Sequence, residues 1–360
     1  MKDILFLGDF LYDYDKINDD ILELSKFIKE NDLVTILNFE GAFKSNNKIK
    51  KPINLYCTKE SIEVLKLLNV VAVNLANNHV MDYGEEGLKH LIDALDEAGI
   101  GHFGAGMNLE ESLKPFVLTF GRRKITFYGF GWNTEECINA TKNRAGTAPL
   151  DYDLVKGIVN KLDALHLVFC FHFGYEFERL PQPFDYKKCR EIAWSKHVKA
   201  IIGHHPHVVQ GYDKHYNIFY SLGNFYFGKM RKRYTKDFKY YPHVNQGIGV
   251  IMDSMYWKTK IIKIVTKDEI TKIDNDAEIE NLKDISGFPI TEYPKYFKEN
   301  NNTINKRYIY KIGGFYEKFW NKTHRLRRNI HKSYLRNVKW PIGKFIKKVL
   351  KIKKGQNHEK

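Results

Sequence analysis

Residues 201–210 read Ile-Ile-Gly-His-His-Pro-His-Val-Val-Gln. An apolar run that ends at Gly203 and opens into three imidazoles within four residues predicts a buried strand feeding a turn lined by His204, His205 and His207. Imidazole is the commonest protein metal ligand, and a turn at a strand end can aim several at one point without burying unpaired backbone. A metal site is the first reading. The alternative, that the three histidines only cap the strand through hydrogen bonds, asks for a separate buried partner for each ring.

The same grammar recurs upstream. Apolar strands are predicted over 4–7, 34–37, 70–75, 165–171 and 218–221, and each runs into polar residues: Asp9; Asn38 and Glu40; Asn77, Asn78 and His79; His172; Asn224. Between them, helical spacing of apolar residues marks 19–30, 60–68, 84–98, 152–162 and 186–196. Alternation of this kind predicts an α/β domain whose buried sheet is covered by helices, and in such folds ligand groups gather at the carboxyl ends of strands. A hairpin over 247–252 and 260–265 closes the pattern. The chain then divides into a body over 1–270, an irregular extension over 271–319 and a basic tail over 320–360.

Composition narrows the class. With 360 residues and 43% hydrophobic content the chain can bury a large core. Cys57, Cys137, Cys170 and Cys189 lie far apart without a C-x-x-C pair, so neither a disulfide framework nor a zinc-thiolate site is indicated, and reduced cytoplasmic thiols are expected. The apolar stretch before Gly8 is too short for a signal segment. Most of the net charge of +15 sits between Trp320 and Lys354, where thirteen Lys and Arg stand with no Asp or Glu. There Ile342, Phe345, Ile346, Val349 and Leu350 recur at three- and four-residue intervals, with Lys344, Lys347, Lys348 and Lys351 between them and Trp340 at the start. Such a basic amphipathic helix suits an anionic membrane surface, at about 1 kcal/mol per Lys or Arg. The expected location is the inner face of the cell membrane; packing of the tail on the body is the alternative, and nucleic acid is the weaker partner.

Six motifs in order carry a resemblance: Gly8-Asp9, Asn38 to Glu40, Asn77 to Gly84, His172 to Glu176, Gly203 to Gln210 and Ser221 to Phe225. The chain resembles the CapA family of poly-γ-glutamate capsule biosynthesis proteins, which is similar to the calcineurin-like metallophosphoesterases. The resemblance implies an α/β/β/α sandwich holding two divalent metal ions. Asp9 would ligate the first and Glu40 bridge both; Asn78 and His172 would serve the second, and His205 and His207 match the family's His-x-His pair. His79 matches the histidine that protonates the leaving group, with Asp82 either orienting it or capping the helix that follows. Asn38, His204, Ser221 and Asn224 would support the ligands from behind, with a structural role for His204 and plain turn chemistry around Gly223 for Ser221 and Asn224 as the alternatives. Glu176 is a candidate general base, a contact for a cationic substrate group or a salt-bridge partner of Arg179.

Carboxylate, amide and imidazole donors together suit Mn, Fe or Zn, and a bridging carboxylate offsets repulsion between two close cations. One departure stands out: the phosphoesterase pattern begins Asp-x-His, whereas Asp9 is followed by Phe10 and Leu11. The expected function is a metal-dependent hydrolase or transferase-like enzyme of capsule or surface-polymer biosynthesis, acting on a phosphoester or amide bond beside other synthesis proteins. A noncatalytic scaffold subunit of a membrane-bound synthesis complex is the alternative.

Overall fold

The computed structural model describes residues 2–51, 53–133, 137–161, 166–229, 242–267 and 270–300. The expected membrane helix, with Trp340, Lys344, Phe345, Lys347, Lys348 and Lys351, lies outside the described residues.

The first half of the chain contains β1 (Asp3–Leu11), α1 (Asp19–Glu30), β2 (Leu33–Phe39), α2 (Glu60–Leu67), β3 (Val70–Asn74), α3 (Gly84–Glu97), β4 (Gly101–Phe103) and β5 (Ala105–Gly106). Next come α4 (Leu109–Ser112), β6 (Phe116–Phe120), β7 (Arg123–Gly131), β8 (Gly146–Thr147), α5 (Tyr152–Lys161), β9 (His166–His172), α6 (Pro183–Ala193) and β10 (Val198–His204). The remainder supplies β11 (Tyr212–Asp213), β12 (Ile218–Phe219), β13 (Asn224–Phe227), β14 (Gln246–Met252), β15 (Thr259–Lys267), β16 (Ile270–Ile273) and α7 (Tyr293–Asn300).

Two main sheets face each other. One has the order β16-β15-β14-β1-β2-β3-β4, with β13 also paired to β1; the other has the order β11-β12-β10-β9-β7-β6. The period of two along β1 shows how the layers are sorted. Ile4 and Phe6 enter the core between the sheets, beside Phe127 of β7, Val168 and Cys170 of β9, and Ile202 of β10. Leu5 and Leu7 point the other way, into a core shared with Ile21, Leu24 and Ile28 of α1, Leu65 of α2 and Leu91 of α3. On the far face of the second sheet, Phe169 and Phe171 pack with Val155 and Ile158 of α5 and Tyr186 and Cys189 of α6. The result is an α/β/β/α sandwich, as the family resemblance implies and the alternating pattern of strands and helices allows.

Two glycines set the spacing where strands crowd toward the site. A Cβ on Gly8 would lie 2.0 Å from the carbonyl oxygen of Gly223, and one on Gly203 would lie 1.9 Å from that of Tyr220. Only hydrogen at Gly8 lets β1 accept β13, with Asp9 N–H donating to Gly223 O at 3.0 Å, and only hydrogen at Gly203 lets β10 lie against Tyr220.

The structure departs from the sequence expectation beyond residue 270. Strand β16 pairs antiparallel with β15, and Thr271 N–H donates to the buried carboxylate of Asp20 at 2.9 Å. Further on, the Tyr186 hydroxyl donates to Ile285 O and Phe288 O at 3.0 and 2.7 Å, and Tyr293 stacks on Tyr186 at 3.8 Å between ring centroids. Stretch 271–300, the described part of the extension expected to be irregular, is thus packed against both sheets. Its buried apolar residues, Ile279, Ile285 and Tyr293, are far apart in the chain, so no long helical or strand period was there to be read. No helix of the described residues is long and apolar enough to cross a membrane.

Candidate metal centre

Each of the polar strand-end residues is delivered by a strand or by the loop that follows it. Asp9 lies within β1, Asn38 within β2 and Glu40 one residue past it; Asn78 and His79 follow β3, His172 ends β9, and His205 and His207 follow β10. Pairing puts the ends of these strands side by side: Asp9 is in register with Asn38 and with Asn224, Asn38 with Asn74, and His204 with His172. Asp9, Glu40, Asn78, His172, His205 and His207 are all buried, and ligand atoms of Asp9, Glu40 and His172 lie within 4.8 Å of one another.

Asp9 is the hub. Its carboxylate accepts from Asn38 Nδ2 at 2.9 Å and from the backbone N–H of His205 at 3.3 Å. His204 Nδ1 and His207 Nδ1 lie 3.3 and 3.4 Å from it. Burial alone would raise the Asp9 pKa, but hydrogen bonds from His204 and His207 and their charge hold it well below the ordinary carboxylate value. Glu40 goes the other way: burial first, and then the neighbouring charge of Asp9, push it well above its usual range. Two carboxyls a few ångströms apart and out of water cannot both carry charge without cationic partners.

The histidines are oriented from behind. Asn224 Nδ2 donates to Val244 O at 3.0 Å, which turns Asn224 Oδ1 toward His207 Nδ1 at 2.9 Å. That oxygen requires a proton on Nδ1, so Nε2, 3.5 Å from Glu40 Oε1, is the nitrogen that would give up its proton to a metal ion. Glu40 Oε1 is buried and accepts no hydrogen bond from the described residues. Burial works against charge on His207, yet Glu40 and Asp9 hold its pKa up at about 10. On the other side of the centre, His172 Nε2 lies 2.9 Å from Asn78 Oδ1 and 3.1 Å from His205 Nδ1. Burial carries the His205 pKa down to about 4 and that of His172 well below its usual value, the latter helped by the positive charge His205 would carry.

These spacings fit a cation. Neighbouring ligands around an ion with bonds of about 2.1 Å are separated by roughly 3.0–3.4 Å; His172 Nε2 stands 2.9 Å from Asn78 Oδ1 and 3.1 Å from His205 Nδ1, and His207 Nε2 stands 3.5 Å from Glu40 Oε1. A buried carboxylate oxygen left without a donor is what such an ion would satisfy. The donor set of carboxylate, amide and imidazole suits a first-row divalent ion better than calcium or magnesium.

His79 stands beside this group. Its Nδ1 is 2.7 Å from Asp82 Oδ2, its Nε2 is 4.0 Å from Glu40 Oε1, and burial, with Lys51 nearby, lowers its pKa to about 4. Asp82 therefore orients His79 and does not cap α3, whose N-cap position is Tyr83 with no side-chain cap. Ser221 Oγ donates to Val208 O at 2.8 Å and receives Gly223 N–H at 3.2 Å, fastening the histidine turn to the start of β13. Glu176, in the loop after β9, bears electrostatically on Glu40, His205 and His207. Arg179, considered as its partner, pairs with Glu280 at 2.5 Å.

Two contributors escaped the sequence reading. Asn74 Nδ2 donates to Asn38 Oδ1 at 3.0 Å and so turns the Asn38 amide toward Asp9; an amide closing the buried run Val70–Asn74 was the available signal. Lys51, 2.7 Å from Asp82, sits in a Lys-rich stretch that reads as a solvated loop and gave none.

Two facing sheets with acid, amide and imidazole groups crowded at their strand ends define an α/β protein with a buried, cation-competent centre. The profile described as Bacterial capsule synthesis protein PGA_cap matches residues 3–229, and the chain belongs to that family. It is similar to the capsule biosynthesis protein CapA of Bacillus anthracis, 32% identical over 232 residues that cover 59% of this chain and 54% of that one. It is similar too to the PGA biosynthesis protein CapA of Bacillus subtilis (strain 168), 31% identical over 265 residues, 64% of this chain and 67% of the relative. The match thus spans about half the length of the first and two thirds of the second. Among solved structures, a hypothetical protein from Thermus thermophilus superposes with a TM-score of 0.44 at 12% identity, covering 76% of this chain and 100% of that one. Likeness that loose carries no functional weight.

Proposed function

We propose that the protein is a metal-dependent hydrolase or transferase-like enzyme of capsule or surface-polymer biosynthesis, acting on a phosphoester or amide bond. The observation that carries this reading is that ligand atoms of Asp9, Glu40 and His172 lie within 4.8 Å of one another, with His207 Nε2 3.5 Å from the Glu40 oxygen that lacks a donor and with Asn78 and His205 against His172. Glu40, between the Asp9 side and the His79 side of the cluster, suits a bridge between two ions. A bound divalent pair would supply a nucleophilic hydroxide and neutralise charge on the scissile group. The chain's own residues would do the rest. His79, held by Asp82 beside the centre, would carry a proton to the leaving atom, and Glu176 would orient the substrate or attacking group. The name of the Bacillus subtilis relative, PGA biosynthesis protein CapA, together with the family resemblance makes poly-γ-glutamate or its precursor the first substrate to test.

The basic segment around Trp340 to Lys351 would hold the enzyme to the anionic inner face of the cell membrane, near other polymer-synthesis proteins. The test is metal analysis of the purified protein with turnover of a phosphodiester and of a γ-glutamyl amide, with His79→Ala and His205→Ala alongside. Metal in the wild type, turnover of either substrate and its loss in both variants supports the reading. Leu11, standing where the phosphoesterase pattern has histidine, favours a second reading as a noncatalytic scaffold. That reading predicts intact assembly with partner proteins and no turnover in the presence of any divalent metal.

A further inference from the structure

We infer that Lys51 is a positioning residue of the candidate centre, its ammonium clamping loop 77–82 so that Asn78 and His79 face the carboxylates; this rests on the metal-centre reading above. The ammonium lies 2.7 Å from Asp82 Oδ1, donates to Asn78 O at 2.9 Å and is 3.3 Å from His79 Nδ1. Its side chain is only 9% exposed. A lysine is seldom buried to that degree unless its charge is matched, and here one cation touches three functional positions of a single loop.

The chain around Lys51 acts as a strap that keeps it there. Ser45 Oγ donates to Tyr83 O at 2.7 Å, Ile49 N–H to Asp82 O at 3.0 Å, and Leu55 N–H to Asp82 Oδ2 at 2.7 Å. Ser45, Ile49 and Leu55 therefore hold the Asp82–Tyr83 end of the loop, and Lys51 brings its charge in against Asn78, His79 and Asp82. The Asp82 carboxylate is shared between Lys51 and His79, so moving the ammonium shifts the group that sets the imidazole plane. At Asn78 the clamp acts on the backbone carbonyl, while the side-chain oxygen of the same residue turns toward His172.

Hydrogen exchange of the full chain in chelator, followed by Mn²⁺ titration, tests this with Lys51→Met and, as a surface control, Lys50→Met. Amides of loop 77–83 should exchange at least about tenfold faster in Lys51→Met, with the rest of the described body unchanged. Mn²⁺ affinity should fall by about 10–100-fold, the usual penalty for losing a group that orients a ligand; Lys50→Met should change neither. Wild-type exchange in that loop overturns the inference. If the wild type itself takes up no Mn²⁺, the metal reading fails and the exchange arm alone decides the role of Lys51. Should Lys51→Met not fold, the pair Lys51→Met with Asp82→Asn removes charge and counter-charge together; faster loop exchange there supports the clamp, and native protection contradicts it.

Discussion

His205 and His207 hold their backbones at φ of 100° and 56°, a region that L-residues enter at a cost of order 1–3 kcal/mol. A turn that tolerates this so as to aim two imidazoles inward is built for their side chains. His205→Ala should lower Mn²⁺ affinity by more than about 100-fold in calorimetry. In chelator its stability should fall by about 1–3 kcal/mol, because alanine keeps the Cβ that makes this φ costly while the buried ring's packing is lost. Asp185, outside the centre, tests the electrostatics separately. Burial lifts its pKa from the ordinary 3.8 to about 7, with the Tyr152 hydroxyl pulling the other way and Glu178 adding to the rise. A carboxyl raised by folding favours the native state below pH 4, and that contribution fades as pH climbs through 7. Asp185→Asn should therefore be more stable than wild type at pH 8, by about 2–4 kcal/mol, with the gap closing toward pH 4 in denaturant titrations. The ligand candidates were legible one by one because each ends an apolar run. Lys51 was not, because its role comes from a fold-back that brings residue 51 against residue 82.

At the scale of elements, the sequence showed the longer strands and helices with an unbroken apolar face, and missed short ones such as β13, buried at all four positions, and β16, which buries one. Strand β1 runs from Asp3 through Leu11, past the expected end at residue 7, because the polar Gly8-Asp9 step that looked like a stop is the place where β13 joins. Gly8→Ala should cost more than about 3 kcal/mol or abolish folding, since a methyl 2.0 Å from the Gly223 carbonyl oxygen must push β13 off β1. Circular dichroism with urea unfolding measures it; a loss below about 1 kcal/mol would mean the two strands part readily. For stretch 271–300, Tyr293→Ala is the matching test. Its ring stacks on Tyr186 and its hydroxyl donates to Pro181 O at 2.9 Å, so removal should cost about 3–5 kcal/mol. A neutral result would make α7 an appendage to the body.

For the molecule as a whole, charge and chemistry lie in different parts of the chain. The centre is built from residues between Asp9 and Asn224, whereas most of the net charge of +15 follows Trp320. Reversing Lys344, Lys347, Lys348 and Lys351 to Glu should remove binding to vesicles containing anionic lipid and leave metal content untouched; unchanged sedimentation with those vesicles would detach the tail from any membrane role. The α/β class was legible because the alternating strands and helices are strongly patterned; the two-sheet sandwich came from the family resemblance. The convergence of the strand ends could be argued only from the rule that such ends share a face. Anomalous scattering from crystals grown with Mn²⁺ tests that convergence most directly. The account predicts at least one strong peak, at about 2.0–2.3 Å from ligand atoms of Asp9, Glu40, Asn78, His172, His205 or His207. Ordered density for all six side chains with no metal peak among them would contradict it.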